Sequence, residues 1–232
     1  MQSTAAVTID KDTRKNWQEI VDILASIINI PAALIMQLHK DDIEVFISSD
    51  STNNPYHPGD KEHFENSGLY CETAIKTNNK LLVPDALSDE DWKDNPDIKL
   101  NMISYLGFPI HLPDKQAFGT LCVLDNKPNS YSLDIEKLMQ NFIKIIESHI
   151  EMLYVNQVLG DENKKLTDYL TEIQTFRDLN SICSYCKSIK DKNGDWHPVE
   201  HWLINHPKAR FSHGVCPDCI ERHHPEIKSK SK

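Results

Sequence analysis

The chain has 232 residues, with 25 Lys and Arg against 35 Asp and Glu, for a formal net charge of −10; this balance excludes nucleic acid and anionic membrane as main partners, because both attract basic surfaces. The length allows one full domain with a sizeable core plus a small module. No run approaches the roughly eighteen apolar residues of a membrane span and the N-terminus lacks a signal-peptide core, so a cytoplasmic protein is expected.

Residues 1–12 are polar and read as a disordered N-terminus. From Thr13 onward, Trp17, Ile20, Val21, Leu24, Ile27 and Ile28 recur at helical spacing, and Pro31 ends that helix. Ala32 to Leu38 and Ile43 to Ser49 read as a hairpin turned at Lys40, Asp41 and Asp42. Asp50 to Gly59, rich in Ser, Asn and Pro, is a loop. Gly68 to Ile75 reads as a short helix and Lys80 to Val83 as a brief strand stopped by Pro84. Asp85 to Asp97 is an irregular acidic stretch carrying Trp92. Ser104 to Ile110 and Ala117 to Leu124 make the clearest hairpin, turned by Pro113-Asp114-Lys115. This order predicts an α+β domain, an antiparallel sheet with its terminal helices packed together on one face.

Leu133 to Leu179 contains no proline and a single glycine, Gly160. Ser132 is placed to cap this helix, with Asp134 and Glu136 in the first turn, where negative charge suits the helix dipole. Leu138, Ile145, Met152, Leu159, Leu166 and Ile173 fall at one heptad core position, and Phe142, His149, Asn156, Asn163 and Leu170 at the other. A stripe this narrow asks for a partner helix, so a dimerising rod is expected; the alternative is a domain helix to about Val155 followed by a polar linker. Ile146, Ile150 and Leu153 are expected to be buried in the sensor or its twin.

Four runs occur in order: Gly68-Leu69-Tyr70-Cys71-Glu72-Thr73, Leu82-Val83-Pro84-Asp85-Ala86, Tyr105-Leu106-Gly107-Phe108-Pro109-Ile110 and Phe118-Gly119-Thr120-Leu121-Cys122-Val123-Leu124-Asp125. Together they resemble the GAF domains of bacterial signalling proteins over about residues 16–155. The resemblance implies a small-molecule sensor with a pocket between sheet and irregular loops, often dimeric through its terminal helices, without naming the ligand. Tyr70, Cys71, Trp92, Tyr105 and Phe108 are the candidate lining, since mostly apolar pockets orient a ligand with a few polar tips. The plainer reading of Trp92 and Tyr105 is loop packing, and of Cys71 a small buried hydrophobe. One enzymatic branch of that fold, the free methionine sulfoxide reductases, works through cysteines of this region, but no second cysteine stands between Asp97 and Tyr105, where its partner is expected.

Beyond the helix, Cys183-Ser184-Tyr185-Cys186 and Cys216-Pro217-Asp218-Cys219 form two C-x-x-C knuckles. Each knuckle brings two thiolates to one ion from a tight turn, and two knuckles close a tetrahedral S₄ site. Zinc is the default ion, in a structural role, and iron shares the ligand set. His213 is a candidate replacement ligand or a hydrogen-bond partner of a sulfur. The runs Ile182 to Asp191, Gly194-Asp195-Trp196 and Phe211 to Cys219 resemble a four-cysteine tail found at the end of bacterial sensor and receiver proteins.

The expected organisation is a disordered N-terminus (1–12), a GAF sensor (13–155), a coiled-coil linker (156–180), a Cys₄ metal module (181–227) and a basic tail (228–232). The expected function is a cytoplasmic, non-enzymatic signalling protein. It would bind a small ligand, transmit the change through a parallel homodimeric coil, and dock a downstream signalling protein through the zinc module. Two rivals remain: a thiol redox switch at the Cys₄ site, and an enzyme related to the free methionine sulfoxide reductases acting through Cys71.

Overall fold

The structure, a computed structural model, describes residues 7–177, 179–205 and 210–226, and the chain divides into two compact units between Val158 and Leu159. In the first unit, α1 (Lys11–Ile28) starts where the Asp10 carboxylate accepts the Thr13 N–H at 2.8 Å and stops at Asn29, which takes the left-handed conformation at φ 57°. Short polar side chains are among the few that tolerate that cap position. Within the segment 1–12 expected to be disordered, Val7 and Ile9 pack against the core; residues 1–6 and the basic tail 228–232 lie outside the described residues.

β1 (Ala32–Leu38) and β2 (Asp42–Ser48) form the first hairpin, and β5 (Ser104–His111) and β6 (Ala117–Asp125) the second. β3 (Lys61–His63) and β4 (Leu81–Val83) add the edges, giving one antiparallel sheet in the order β3-β2-β1-β6-β5-β4. The sequence reading missed β3, whose Lys-Glu-His is fully polar and shows no alternation; short charged strands are what a sheet places at an exposed edge.

Alternation along the central strands divides the core in two. On one face, α1 and α3 (Leu133–Arg177) cover Leu106, Phe108, Ile110, Leu121 and Val123, with Trp17, Met139, Ile143, Ile146 and Ile150 packed between. On the other, α2 (Tyr70–Thr77) and the loops cover Leu34, Tyr105, Cys122 and Leu124. Ser132 caps α3 as expected, its Oγ accepting the Ile135 N–H at 3.3 Å. Ile146 and Ile150 are fully buried, and Leu153 is half-buried.

The heptad series from Leu138 divides accordingly. Leu138 and Phe142, partly buried, pack against the core of the first unit. Ile145, Met152, Leu159, Leu166 and Ile173, seven residues apart, are exposed, as is Leu170. No helix among the described residues is long and apolar enough to cross a membrane.

The second unit holds a four-stranded sheet ordered β10-β7-β8-β9. Its strands are β7 (Leu179–Cys183), β8 (Ile189–Lys190), β9 (Trp196–His197) and β10 (Arg210–Gly214), with β10 parallel to β7. Two short helices, α4 (Val199–Asn205) and α5 (Pro217–His223), complete it.

Candidate functional site

The start of α2 is built around Glu72. Its carboxylate accepts from the backbone N–H of Asn66 (2.6 Å) and Gly68 (2.9 Å) and from the Ser67 hydroxyl (3.0 Å), and pairs with Lys76 at 2.7 Å. Burial acts to raise this carboxyl, but Lys76 and these donors outweigh it and hold it at about 2. The loop before α2 is thereby tied down, with Gly68 at φ 75°, a backbone angle that glycine adopts without strain. A second tie crosses to the acidic loop, where the Asn95 amide donates to the Gly68 carbonyl at 2.7 Å and its oxygen caps Asp97 N–H at 2.9 Å.

Between these ties and the sheet lie three stacked rings. Tyr70 stacks on Tyr105 with centroids 4.8 Å apart and meets Trp92 at 5.1 Å. Gly107 makes room for Tyr105 to fold along its own strand; a Cβ there would sit 2.0 Å from the Tyr105 hydroxyl. Beside the rings, the Tyr56 hydroxyl donates to Asp97 at 2.8 Å. Burial pushes the Asp97 carboxyl up to about 6, the Tyr56 hydrogen bond opposing it. The Tyr70 hydroxyl is buried with no hydrogen-bond partner among the described residues. Burial raises it too, and Asp97 and Asp85 act in the same direction.

Of the residues expected to line a pocket, Tyr70, Cys71, Trp92 and Tyr105 therefore come together, filling the space between sheet and loops with their own side chains. Phe108 does not join them. It is an odd number of residues from Tyr105 on β5, so the pleat turns it to the helix-covered face, where it joins Trp17 and Ile143. Sequence reasoning missed Tyr56, Asp97, Thr120 and Cys122 here. Asp97 lies within the segment expected to line the site but was one acid among many; Tyr56 came from a loop read only as a connection. A second thiol does stand in this region, but on β6 rather than between Asp97 and Tyr105: Cys122 lies in the same buried cluster as Cys71.

In the second unit the four thiols of Cys183, Cys186, Cys216 and Cys219 lie within 4.8 Å of one another, three of the residues buried and Cys186 exposed. The Cys186 and Cys216 sulfurs are 3.6 Å apart, close to the roughly 3.8 Å that a tetrahedron with metal–sulfur bonds of about 2.3 Å requires. In the first knuckle, Lys187 N–H returns to the Cys183 carbonyl at 3.0 Å with Lys187 at φ 63°. The second is the first turn of α5, with Cys216 at its cap and Pro217 next, a position suited to a residue lacking an N–H. Burial opposes ionisation of Cys183, yet the backbone N–H groups of Cys216, Cys186 and Tyr185 bring its thiol down to about 6. Cys219 is driven up to about 12 by burial and by the sulfurs around it. Four thiolates crowded this closely ionise together only around a cation, so the donor set fits a metal ion. The side chain of His213 lies outside the described residues.

A family model for the GAF domain matches residues 12–150. The diguanylate cyclase DgcP of Escherichia coli strain K12 is 28% identical over 132 residues, covering 53% of this chain and 38% of that protein; the chain thus spans well under half the length of this curated relative. Among solved structures, the blue-light-absorbing form of the Thermosynechococcus elongatus PixJ GAF domain superposes with a TM-score of 0.52 at 13% identity, covering 68% of this chain and 94% of that one. The free methionine-R-sulfoxide reductase from Neisseria meningitidis, in complex with its substrate, gives 0.51 at 14% identity, with coverages of 62% and 80%. At such identities the likeness is one of fold.

Proposed function

The chain belongs to the GAF domain family, commonly small-ligand sensors in signalling proteins, and from that premise we propose that it is a non-enzymatic signal-sensing regulator. A small ligand on the α2 face would meet Tyr70, Cys71, Trp92, Tyr105 and Asp97, and entry would require Trp92 and its acidic loop to shift. That shift would alter α3, which acts as one strand of a parallel homodimeric coiled coil. Asn156 and Asn163 suit that role, since polar core positions fix register and parallel sense while weakening the coil.

Cys183, Cys186, Cys216 and Cys219 would hold a structural zinc, which draws the two knuckles together as a closed S₄ site and stands in for the hydrophobic core so small a unit lacks. The unit so formed would dock a downstream signalling protein in the cytoplasm.

The observation that carries the sensing reading is the buried Tyr70 hydroxyl without a hydrogen-bond partner among the described residues, together with an Asp97 carboxyl, bonded to Tyr56, that burial raises to about 6. Buried polar groups are normally satisfied, and strongly shifted carboxyls concentrate where ligands bind. Native mass spectrometry of the protein as expressed tests the whole proposal, because it reads chain number, metal and retained ligand together. A dimer with one zinc per chain and a small-molecule adduct lost on Asp97→Asn is expected; a metal-free, ligand-free monomer overturns it.

A further inference from the structure

Cys122 stands at the centre of the first unit's sheet, paired across to Leu34 on β1 and Gly107 on β5. Thr120, two residues earlier on the same face, donates its hydroxyl to the Cys71 sulfur at 3.3 Å. The Tyr105 hydroxyl lies 3.5 Å from that sulfur, and Cys71 and Cys122 belong to one buried cluster on this face of the sheet. Cys71 sits in the first turn of α2, where the helix dipole favours a negative sulfur. It is 8% exposed and Cys122 not at all, so a small reagent reaches Cys71 first.

We infer that Cys71 and Cys122 form an oxidisable thiol pair, a modification site for a small hydroperoxide, with Cys71 the attacking sulfur and Cys122 the resolving one. In the first step the Cys71 thiolate attacks the terminal peroxide oxygen. The S–O bond forms, the O–O bond breaks, and the leaving oxygen departs protonated as water or an alcohol. In the second, the Cys122 thiol attacks the Cys71 sulfur; the S–S bond forms, the S–O bond breaks, and water leaves with the Cys122 proton. The two sulfurs lose two electrons in total and the peroxide gains them.

Two features separate Cys71 from an inert buried thiol. Its sulfur has two hydroxyl partners, Thr120 and Tyr105, rather than an apolar shell, and a second thiol, Cys122, shares its buried cluster. The Cys122 thiol acts most strongly to lower the Cys71 thiol, with the hydrogen bonds to Thr120 and Tyr105 adding to it against burial; burial raises Cys122. The pair is thus asymmetric, one sulfur prepared to attack and the other kept protonated. A bond between them would tie α2 to β6 beneath Tyr70 and Tyr105. It does not require that any ligand bind there.

The test treats the full-length protein with hydrogen peroxide, alkylates free thiols on unfolding, and maps non-reduced peptides by mass spectrometry. A peptide pair joined through Cys71 and Cys122, two hydrogens lighter than its parts, is expected. In Cys122→Ser, dimedone should instead trap a sulfenic acid on Cys71, and Thr120→Val should slow loss of the Cys71 thiol about tenfold, the effect of one hydrogen bond to a charged sulfur. Added glutathione serves as the internal standard. Recovery of both Cys71 and Cys122 as free thiols at peroxide doses that oxidise the glutathione, or joining of Cys71 to any other protein sulfur, overturns the inference; the wild-type map decides this even if a variant fails to fold.

Discussion

The indole N–H of Trp17 on α1 donates to Nδ1 of His149 on α3 at 3.1 Å, tying the two terminal helices of the GAF domain together. Trp17 is otherwise enclosed, with edge contacts to Phe46 and Phe118. His149 occupies a heptad core position, yet its ring is committed inside its own domain. Replacing it by alanine strands a buried N–H, which costs roughly 1–3 kcal/mol. His149→Ala should lower the urea midpoint accordingly, and Trp17→Phe in the same background should add less than it does alone. Full additivity in that double-mutant cycle would remove the bond from the account.

Asp97 and Glu72 pull the pH dependence in opposite directions. The Asp97 carboxyl is raised from 3.8 to about 6, so its contribution is fully present below about pH 4 and lost as pH rises through about 6. Glu72 is lowered from 4.5 to about 2, so its contribution is present above about pH 4.5 and lost as pH falls toward 2. Their summed contribution peaks between about pH 4 and 5. Asp97→Asn should therefore stabilise the protein at pH 8 by up to about 3 kcal/mol and make no difference below about pH 4. Denaturant midpoints across that range measure it; a constant difference at all pH values would contradict the assignment.

Gly119 faces Met36 so closely that an added Cβ would lie 1.7 Å from the Met36 carbonyl oxygen. The clash is with backbone in the middle of a sheet, where β1 and β6 cannot part without breaking their ladder. Gly119→Ala should cost about 3 kcal/mol or more. Gly160→Ala, with nothing within 4 Å, should raise the thermal midpoint slightly by helix propensity. Equal midpoints for the two variants would refute the contrast.

Elemental analysis should find about one zinc per chain in the protein purified without added metal. Cys183→Ser or Cys216→Ser should abolish it. A chelator should then unfold residues 180–226, seen as lost dispersion of their amide resonances, and leave the melting of the unit ending at Val158 unchanged. A tail that stays folded without metal is the contrary result.

Leu159 and Leu166 are exposed on α3 at positions one heptad apart. Light scattering at micromolar concentration should give twice the chain mass for the wild type and the single-chain mass for Leu159→Asp with Leu166→Asp. An unchanged mass in the variant, or a monomeric wild type, would exclude the coil.

Local signals carried most of the fold. Trp17, Ile20, Val21 and Leu24 state a helix in their spacing, and the paired strands around Pro113-Asp114-Lys115 state a hairpin. Both are recorded by neighbours along the chain, which is what periodicity reports. The four-cysteine cluster was legible for the same reason, since each knuckle is a local turn. Lys61 to His63 was not, because an edge strand of charged residues is defined only by the partner it pairs with.

The sequence by itself thus determined the longer elements of the first unit, the α+β order and the four candidate metal ligands. Only the tertiary structure decided which residues share a face and which meet at a distance. Phe108 passed to the helix side because the pleat alternates, and His149 was claimed by Trp17 although its heptad spacing is correct. Cys122 came beside Cys71, and Asp97 beside Tyr56, because β6 and the acidic loop converge over α2. These contacts join segments whose separation along the chain carries no periodic signal, so packing alone could bring them together.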